Sequence, residues 1–301
     1  MHMKDRMIFL QIKDYVKSFL RPYNLICKPK VVDKPEGKKI LVLSPHFDDD
    51  VIGCGGTLYK HILSGDDVTI IYFTDGREGD PDNPDKDLVE ATRKEEARRA
   101  TSILGIKKLI FLDEPETQLK ANKKLLETLA DIFDKLRPDL VYLPSFLDNH
   151  IDHLELNRIF FQLVKRLNMK FNVCAYEAWT PIVPNIIVDI GSVIEKKEQA
   201  IKEYKSQIRQ VDYVSVTLAL NRCRSATNLQ GRSYAEAFFY TTCKEYVDLM
   251  DELHLDKRIF INDARIKKIT KETIKKIPIV GDLAKFIKRR FFLKSSLESK
   301  H

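Results

Sequence analysis

Two short stretches of the 301-residue chain hold most of the side chains that could do chemistry. In the first, His46-Phe47-Asp48-Asp49-Asp50 places one imidazole and three carboxylates within five residues. In the second, Asp148-Asn149-His150-Ile151-Asp152-His153 adds two imidazoles and two further acids. The other four of the seven histidines, His2, His61, His254 and His301, have no comparable acidic setting. Imidazole with carboxylate and no cysteine is the donor set of a catalytic zinc site that keeps one position open for water. Such a metal brings the pKa of its bound water to about 7. Neighbouring carboxylates point in different directions, so one of Asp48 and Asp49 can bind metal while the other serves as general base. His150 and His153 lie three apart at a helix start and share a face, so one can ligate while the other reaches substrate. Asp152 could orient a histidine through its Nδ1–H. Helix capping accounts for one acid in each turn but not for the whole set.

The elements that must position these residues are legible as an alternation of strands and helices. The apolar run Ile40-Leu41-Val42-Leu43 reads as a buried strand that delivers His46 and its acids, followed by Gly53, Gly55 and Gly56 and a helix-like segment from Thr57 to Leu63. Further strands are expected at residues 68–74, 108–112, 140–143, 173–178 and 186–190, and helices at 88–104, 119–136, 154–167, 193–207 and 214–220. Short apolar strands alternating with helices from residue 39 to 167 predict an α/β fold, a Rossmann-like, doubly wound and mostly parallel sheet with helices on both faces. In such sheets ligands bind outside the carboxyl ends of the strands, where both charged turns fall. The glycines after the first strand miss the G-x-G-x-x-G register because Leu58 stands at its last position, and the preceding acids would repel a pyrophosphate. They are expected instead to let the helix approach the sheet closely.

Composition bounds the rest. A hydrophobic content of 44% and a charged content of 32% fit a globular protein, and no apolar run approaches the roughly 20 residues that span a bilayer. Five cysteines, odd in number and without a C-x-x-C pair, point to a reduced, cytoplasmic protein with no cysteine metal site. The net charge of +7 resides in residues 265–294, where eleven Lys or Arg stand against two acids, so the remainder of the chain carries a net −2. That distribution argues against nucleic acid as a partner. Residues 7–20 read as an amphipathic helix, and the basic stretch has an amphipathic pattern that could meet an anionic membrane face or pack on the body. Three segments are expected: 1–37, an N-terminal helix and linker; 38–250, the catalytic domain; and 251–301, a basic C-terminal extension.

The two motifs resemble those of the LmbE-like, or PIG-L, N-acetylglucosaminyl deacetylases. Pro45-His46-Phe47-Asp48-Asp49-Asp50 is similar to the family's P/A-H-P-D-D-E, and His150-Ile151-Asp152-His153 to its H-P-D-H. Lesser likenesses occur at Thr74 to Gly79, Arg93 to Ala97, Lys205 to Gln207 and Ala235 to Phe238, so the resemblance spans about residues 38 to 245. It implies Zn2+ as cofactor, with Fe2+ or another divalent metal as the alternative, held by His46, Asp49 and His153. It implies Asp48 as general base and His150 as the group that protonates the departing amine or stabilises the tetrahedral intermediate, with Asp152 orienting it. Arg77, Glu78 and Asp148 are candidate substrate contacts. Phe47 and Ile151 replace prolines of the family pattern, which implies altered turns with the chemistry retained, and Asp50 replaces a glutamate with an arm one methylene shorter, which could keep a structural hydrogen bond or, at the substrate, shift specificity. The expected activity is metal-dependent hydrolysis of the acetamide of an N-acetylated amino-sugar conjugate, compatible with an oligomer. The competing expectation is a non-catalytic protein with a closed structural zinc site that works through its basic tail at a membrane or as a scaffold.

Overall fold

The computed structural model describes residues 28–253 apart from Asn168. Its strands are β1 (Lys30–Val32), β2 (Lys39–Ser44), β3 (Asp67–Thr74), β4 (Lys108–Glu114), β5 (Leu140–Pro144), β6 (Asn172–Tyr176), β7 (Ile186–Asp189) and β8 (Ala235–Thr242). Its helices are α1 (Asp49–Leu63), α2 (Lys86–Ile103), α3 (Lys123–Leu136), α4 (Ile151–Val164), α5 (Ile194–Ile201), α6 (Lys205–Ile208), α7 (Tyr213–Asn228) and α8 (Cys243–Glu252). Ile40, Leu41, Val42 and Leu43 are all buried, so β2 is covered on both faces, the condition that favours an interior parallel strand. It pairs in parallel with β3 on one side and β5 on the other, within an eight-stranded sheet ordered β1-β7-β8-β6-β5-β2-β3-β4. Only β8 runs antiparallel, wedged between β6 and β7. Helices α1, α2 and α5 pack together on one side of the sheet, while α4 packs with α3 and α8 on the other. The chain order reverses between β2 and β5, and both charged turns leave the carboxyl ends of those two strands.

The doubly wound sheet matches the sequence expectation, with local differences. Residues 30–32, read as linker, form the edge strand β1. The helix expected over 193–207 divides into α5 and α6, and the one expected over 214–220 extends to Asn228. The first helix begins at Asp49, so its three glycines lie inside it, where each costs about 1 kcal/mol against alanine. Close approach explains Gly53 and Gly56. A Cβ on Gly53 would overlap the Tyr176 ring and lie 2.9 Å from the Glu177 carbonyl oxygen, and one on Gly56 would lie 2.9 Å from Ile190 Cγ2. The helix is also clamped from the side by the buried Glu236 of β8. Its carboxylate accepts the Gly56 and Thr57 backbone N–H groups at 2.9 and 2.7 Å and the Lys197 ammonium at 2.6 Å. Lys197 Nζ in turn donates to the Ile52 carbonyl at 2.8 Å.

His61 does have an acidic partner, contrary to the sequence reading. Its Nδ1 is 2.9 Å from Asp66 Oδ2 and its Nε2 is 2.9 Å from the Tyr142 hydroxyl, a buried network at the opposite edge of the sheet from the charged turns. Cys54, Cys174 and Cys243 are buried thiols, Cys223 is exposed, and none of the four is in a disulfide. Among the described residues no helix is long and apolar enough to cross a membrane. The amphipathic segments expected at 7–20 and 265–294 lie outside the described residues. The glycine packing makes a direct prediction: Gly53→Ala lowers stability by about 1–3 kcal/mol, the cost of overpacking a tight interior, whereas Gly65→Ala meets no neighbouring atom and is limited to the strain of its φ of 74°. Denaturant midpoints of the two variants check this, and equal, small losses would refute the close-approach account.

Candidate active site

The turn after β2 folds back on itself because its own acids satisfy it. Asp48 occupies the N-cap position of α1 but makes no capping hydrogen bond. The carboxylate of Asp49 instead accepts the His46 backbone N–H at 2.9 Å. The same oxygen, Oδ2, lies 2.9 Å from His46 Nδ1 and 3.1 Å from His153 Nε2, and those two ring nitrogens are 3.3 Å apart. Three donors on two βα turns therefore form a triangle with edges of 2.9 to 3.3 Å. Bonds of about 2.0–2.1 Å in tetrahedral zinc geometry put ligand atoms about 3.3 Å apart, so the triangle has the dimensions of one face of such a tetrahedron. His150 approaches the same centre: the imidazoles of His46, His150 and His153 each offer a nitrogen within 4.8 Å of the others.

Behind the triangle each histidine is held by a second group. His46 Nε2 is 3.1 Å from Asp152 Oδ2, and His153 Nδ1 is 3.3 Å from Asp148 Oδ2, the carboxylate–imidazole arrangement that orients metal-binding histidines. Asp148 also accepts the N–H groups of His150 and Trp179, both at 3.0 Å, and is itself buried. It stands behind the site and outside the cavity lining. The Asp152 carboxylate serves His46, whereas the resemblance implied that it orients His150. His150 is oriented by backbone: as N-cap of α4, its Nδ1 accepts the Asp152 N–H at 3.3 Å. This leaves Nε2 as the proton-bearing nitrogen of the neutral ring.

The loop after β4 closes the site from a third direction. The Thr117 N–H donates to Asp152 Oδ2 at 2.9 Å from a backbone with φ of 64°, an unusual conformation for a β-branched residue. Its neighbour Glu116 lies 3.6 Å from His46 Nε2 and 3.3 Å from the Arg93 guanidinium, which reaches to 3.9 Å from Asp48. Phe47 points away from the donors into the core, edge-on to Tyr72 and Phe111 at 5.3 and 5.6 Å. A cavity of about 200 Å³ opens onto His46, Asp48, Asp49 and His150, with Arg93, Glu116, Glu177 and Gln207 around them. Arg77 and Glu78 are not part of its lining. The Arg77 guanidinium is engaged by Asp87 at 2.5 Å and Glu90 at 2.7 Å, and Glu78 lies 3.6 Å from Lys86.

Sequence reasoning gave no site role to Arg93, Glu116, Trp179 or Tyr213, all of which line the cavity. The one usable signal was Trp179, the single tryptophan of the chain, three residues beyond a strand end on the edge that bears the site.

The charges respond strongly to this crowding. Burial opposes ionisation of Asp49, but His153 and His46 outweigh it and hold the carboxyl well below its usual range. Burial likewise disfavours charge on His46 and His153, yet the Asp49 carboxylate, with Asp152 and Asp148 respectively, keeps both rings above their ordinary value. Burial raises Asp48, with Arg93 opposing. His150 goes the other way, pushed down to about 4 by burial and by its two imidazole neighbours. In the metal-free protein, then, lowering the pH protonates His46 and His153 first, above the ordinary imidazole range, and His150 only near 4. Ring-carbon NMR titration of the histidines checks this order, and a His150 that titrates together with the other two would contradict the geometry.

Comparison with known proteins gives this geometry a context. A family model described as PIG-L, GlcNAc-PI de-N-acetylase, matches residues 41–164, the span from β2 through α4 that carries both turns. The diacetylchitobiose deacetylase of Thermococcus kodakarensis is 32% identical over 187 residues, 56% of this chain and 70% of that protein. The solved structure of N,N'-diacetylchitobiose deacetylase from Pyrococcus horikoshii, complexed with an inhibitor, superposes with a TM-score of 0.63 at 26% identity, covering 70% of this chain and 86% of the other. The 4-carboxy-2-hydroxymuconate hydratase of Pseudomonas putida is also similar, with a TM-score of 0.57 and 26% identity over 67% of this chain and 96% of the other. By sequence and by fold, the chain belongs to the PIG-L family.

Proposed function

We propose that this protein is a zinc-dependent hydrolase that removes the acetyl group from an N-acetylglucosamine-type conjugate. The carrying observation is the Asp49–His46–His153 triangle with Asp48 beside it on an open cavity. The donor set fits the metal: two imidazole nitrogens and one carboxylate oxygen, each histidine backed by a further carboxylate. His46, Asp49 and His153 would hold the ion, which when bound supplies Lewis-acid polarisation of the acetamide carbonyl and activation of the attacking water.

The remaining work belongs to the chain. Asp48, raised by burial and steadied by Arg93, takes a proton from water as its oxygen adds to the carbonyl carbon. It returns that proton to the nitrogen as the C–N bond breaks, giving acetate and a free amine. His150, neutral and with Nδ1 occupied as an acceptor, directs Nε2–H at the oxygen that gains charge. Of the two roles implied for His150, oxyanion stabilisation agrees better with this tautomer.

Two alternatives fit less well. A closed structural site needs four protein ligands, whereas the cavity opens directly onto His46 and Asp49. Hydration of an unsaturated tricarboxylate, suggested by the Pseudomonas relative, would bring a multiply charged anion into a cavity lined by Asp48, Asp49, Glu116 and Glu177, where Arg93 is already engaged by Glu116 and the metal site by Asp49. A neutral amide meets no such repulsion.

The test is release of free amine from N-acetylglucosamine and N,N'-diacetylchitobiose by zinc-loaded protein. Asp48→Asn is expected to retain stoichiometric metal and lose about 10²–10⁴-fold in kcat, while Asp49→Asn loses the metal itself. A metal-loaded wild type inactive on every N-acetylhexosamine, or an Asp48→Asn variant as fast as wild type, would overturn the reading.

A further inference from the structure

The cavity above the metal-binding triangle has two unlike halves. Its floor is polar and charged, while its outer wall is built from Ile52, Trp179, Val211, Tyr213, Val216 and Leu220. Four of the lining positions belong to α7 and fall at 213, 216, 217 and 220, the i, i+3, i+4, i+7 spacing of one helical stripe. That stripe faces the cavity, and its polar atoms are the hydroxyls of Tyr213 and Thr217.

The outer wall is also left wet. Trp179 is 50% exposed, Val211 39% and Val216 59%. Nine large apolar side chains are exposed among the described residues, and five are on the segments framing this opening: these three, with Leu147 and Val183 on the loops that carry His150 and Trp179. Apolar side chains scattered singly over a surface need no explanation, but a concentration at the mouth of a cavity marks a binding site. Trp179 links the two halves, since its ring stacks on His150 at 6.0 Å and meets Tyr213 edge-on at 6.2 Å.

We infer that this wall is an aglycone subsite: the group attached to the amino sugar is an apolar, alkyl-type chain that lies along the α7 stripe past Trp179. The identity of the sugar rests on the deacetylase reading; the apolar character of the wall does not. A sugar hydroxyl would find charged and amide partners on the floor, at Arg93, Glu116 or Gln207, whereas α7 offers it only the hydroxyls of Tyr213 and Thr217. A chain lying on the stripe covers side chains that otherwise face water.

Trp179 is the only tryptophan in the sequence, so intrinsic fluorescence reports this wall without interference. The experiment titrates the full-length protein with methyl, hexyl and octyl β-D-glucosides below their micelle concentrations. These probes carry no acetamide, so binding is read without turnover. The expected result is a blue shift of emission with affinity rising on the order of fourfold per buried methylene, the equivalent of about 0.8 kcal/mol each. Val216→Asp, at a position exposed enough to tolerate the change, is expected to flatten this dependence on chain length while keeping the wild-type melting temperature.

An affinity independent of chain length, or an octyl affinity unchanged by Val216→Asp, would overturn the subsite. So would a Trp179 that is already blue-shifted and unresponsive, which would mean that another part of the chain covers the wall. The deacetylase reading fails separately. Chain-length-dependent binding without hydrolysis of any N-acetylhexosamine would leave the subsite standing and remove the activity, whereas hydrolysis without an alkyl effect would do the reverse.

Discussion

One carboxylate oxygen governs the architecture around the site. Asp49 Oδ2 meets His46 Nδ1, the His46 backbone N–H and His153 Nε2, and so ties the turn after β2 to the start of α4. Buried charge is tolerated only when opposite charge and hydrogen bonds surround it. The neighbouring groups answer that requirement in rings. Asp152 and Asp148 back the two histidines, Thr117 and Trp179 donate backbone N–H groups to those acids, and Arg93 stands between Asp48 and Glu116. A divalent cation replacing the excess protons on the imidazoles would satisfy the same carboxylates.

Holding that oxygen in place demands a stiff mount, and the sheet supplies it through α1. Gly53 and Gly56 bring the helix against Tyr176 and Ile190, and the Glu236–Lys197 pair grips its middle. A buried ion pair is weak evidence for stability, but this one takes two backbone donors and one backbone acceptor of the helix, which fixes α1 against translation along its axis. Phe47 completes the mount: where the family pattern has a proline, an aromatic ring wedged against Tyr72 and Phe111 stiffens the turn by packing.

Much of this was legible in the sequence, for identifiable reasons. An apolar run ending in a charged turn locates a strand end, and two such turns locate one edge of a sheet, so the convergence of His46, Asp49, His150 and His153 could be anticipated. What could not be read depended on side-chain direction or unusual backbone. Asp152 is adjacent in sequence to His153 and two residues from His150, yet its carboxylate serves His46 across 106 positions. Glu116 and Thr117 enter through a loop after β4, and the φ values at Asp113 near the end of that strand and at Thr117 in the loop are positive without any glycine to announce them. The exposed turn at Arg77 and Glu78 is charged, but its charges are engaged by Asp87, Glu90 and Lys86 at the surface. On α7 three of the four stripe positions, Val216, Thr217 and Leu220, fall inside the helix expected over 214–220, but nothing in their spacing tells a cavity wall from a core face.

The place of β8 sets the order in which such a molecule can be completed during synthesis. β6 and β7 never pair with each other; β8, the last of the described strands, is the one that joins them, and it also brings Glu236 to α1. Until residue 242 has left the ribosome, β7 has only the three-residue β1 beside it, and the helix that carries Asp49 lacks its clamp. The nascent chain can therefore form the half-sheet β6-β5-β2-β3-β4 and gather its histidines early, with an open β6 edge exposed meanwhile. Truncation anywhere before that last strand would leave the chemistry encoded and the scaffold unfinished.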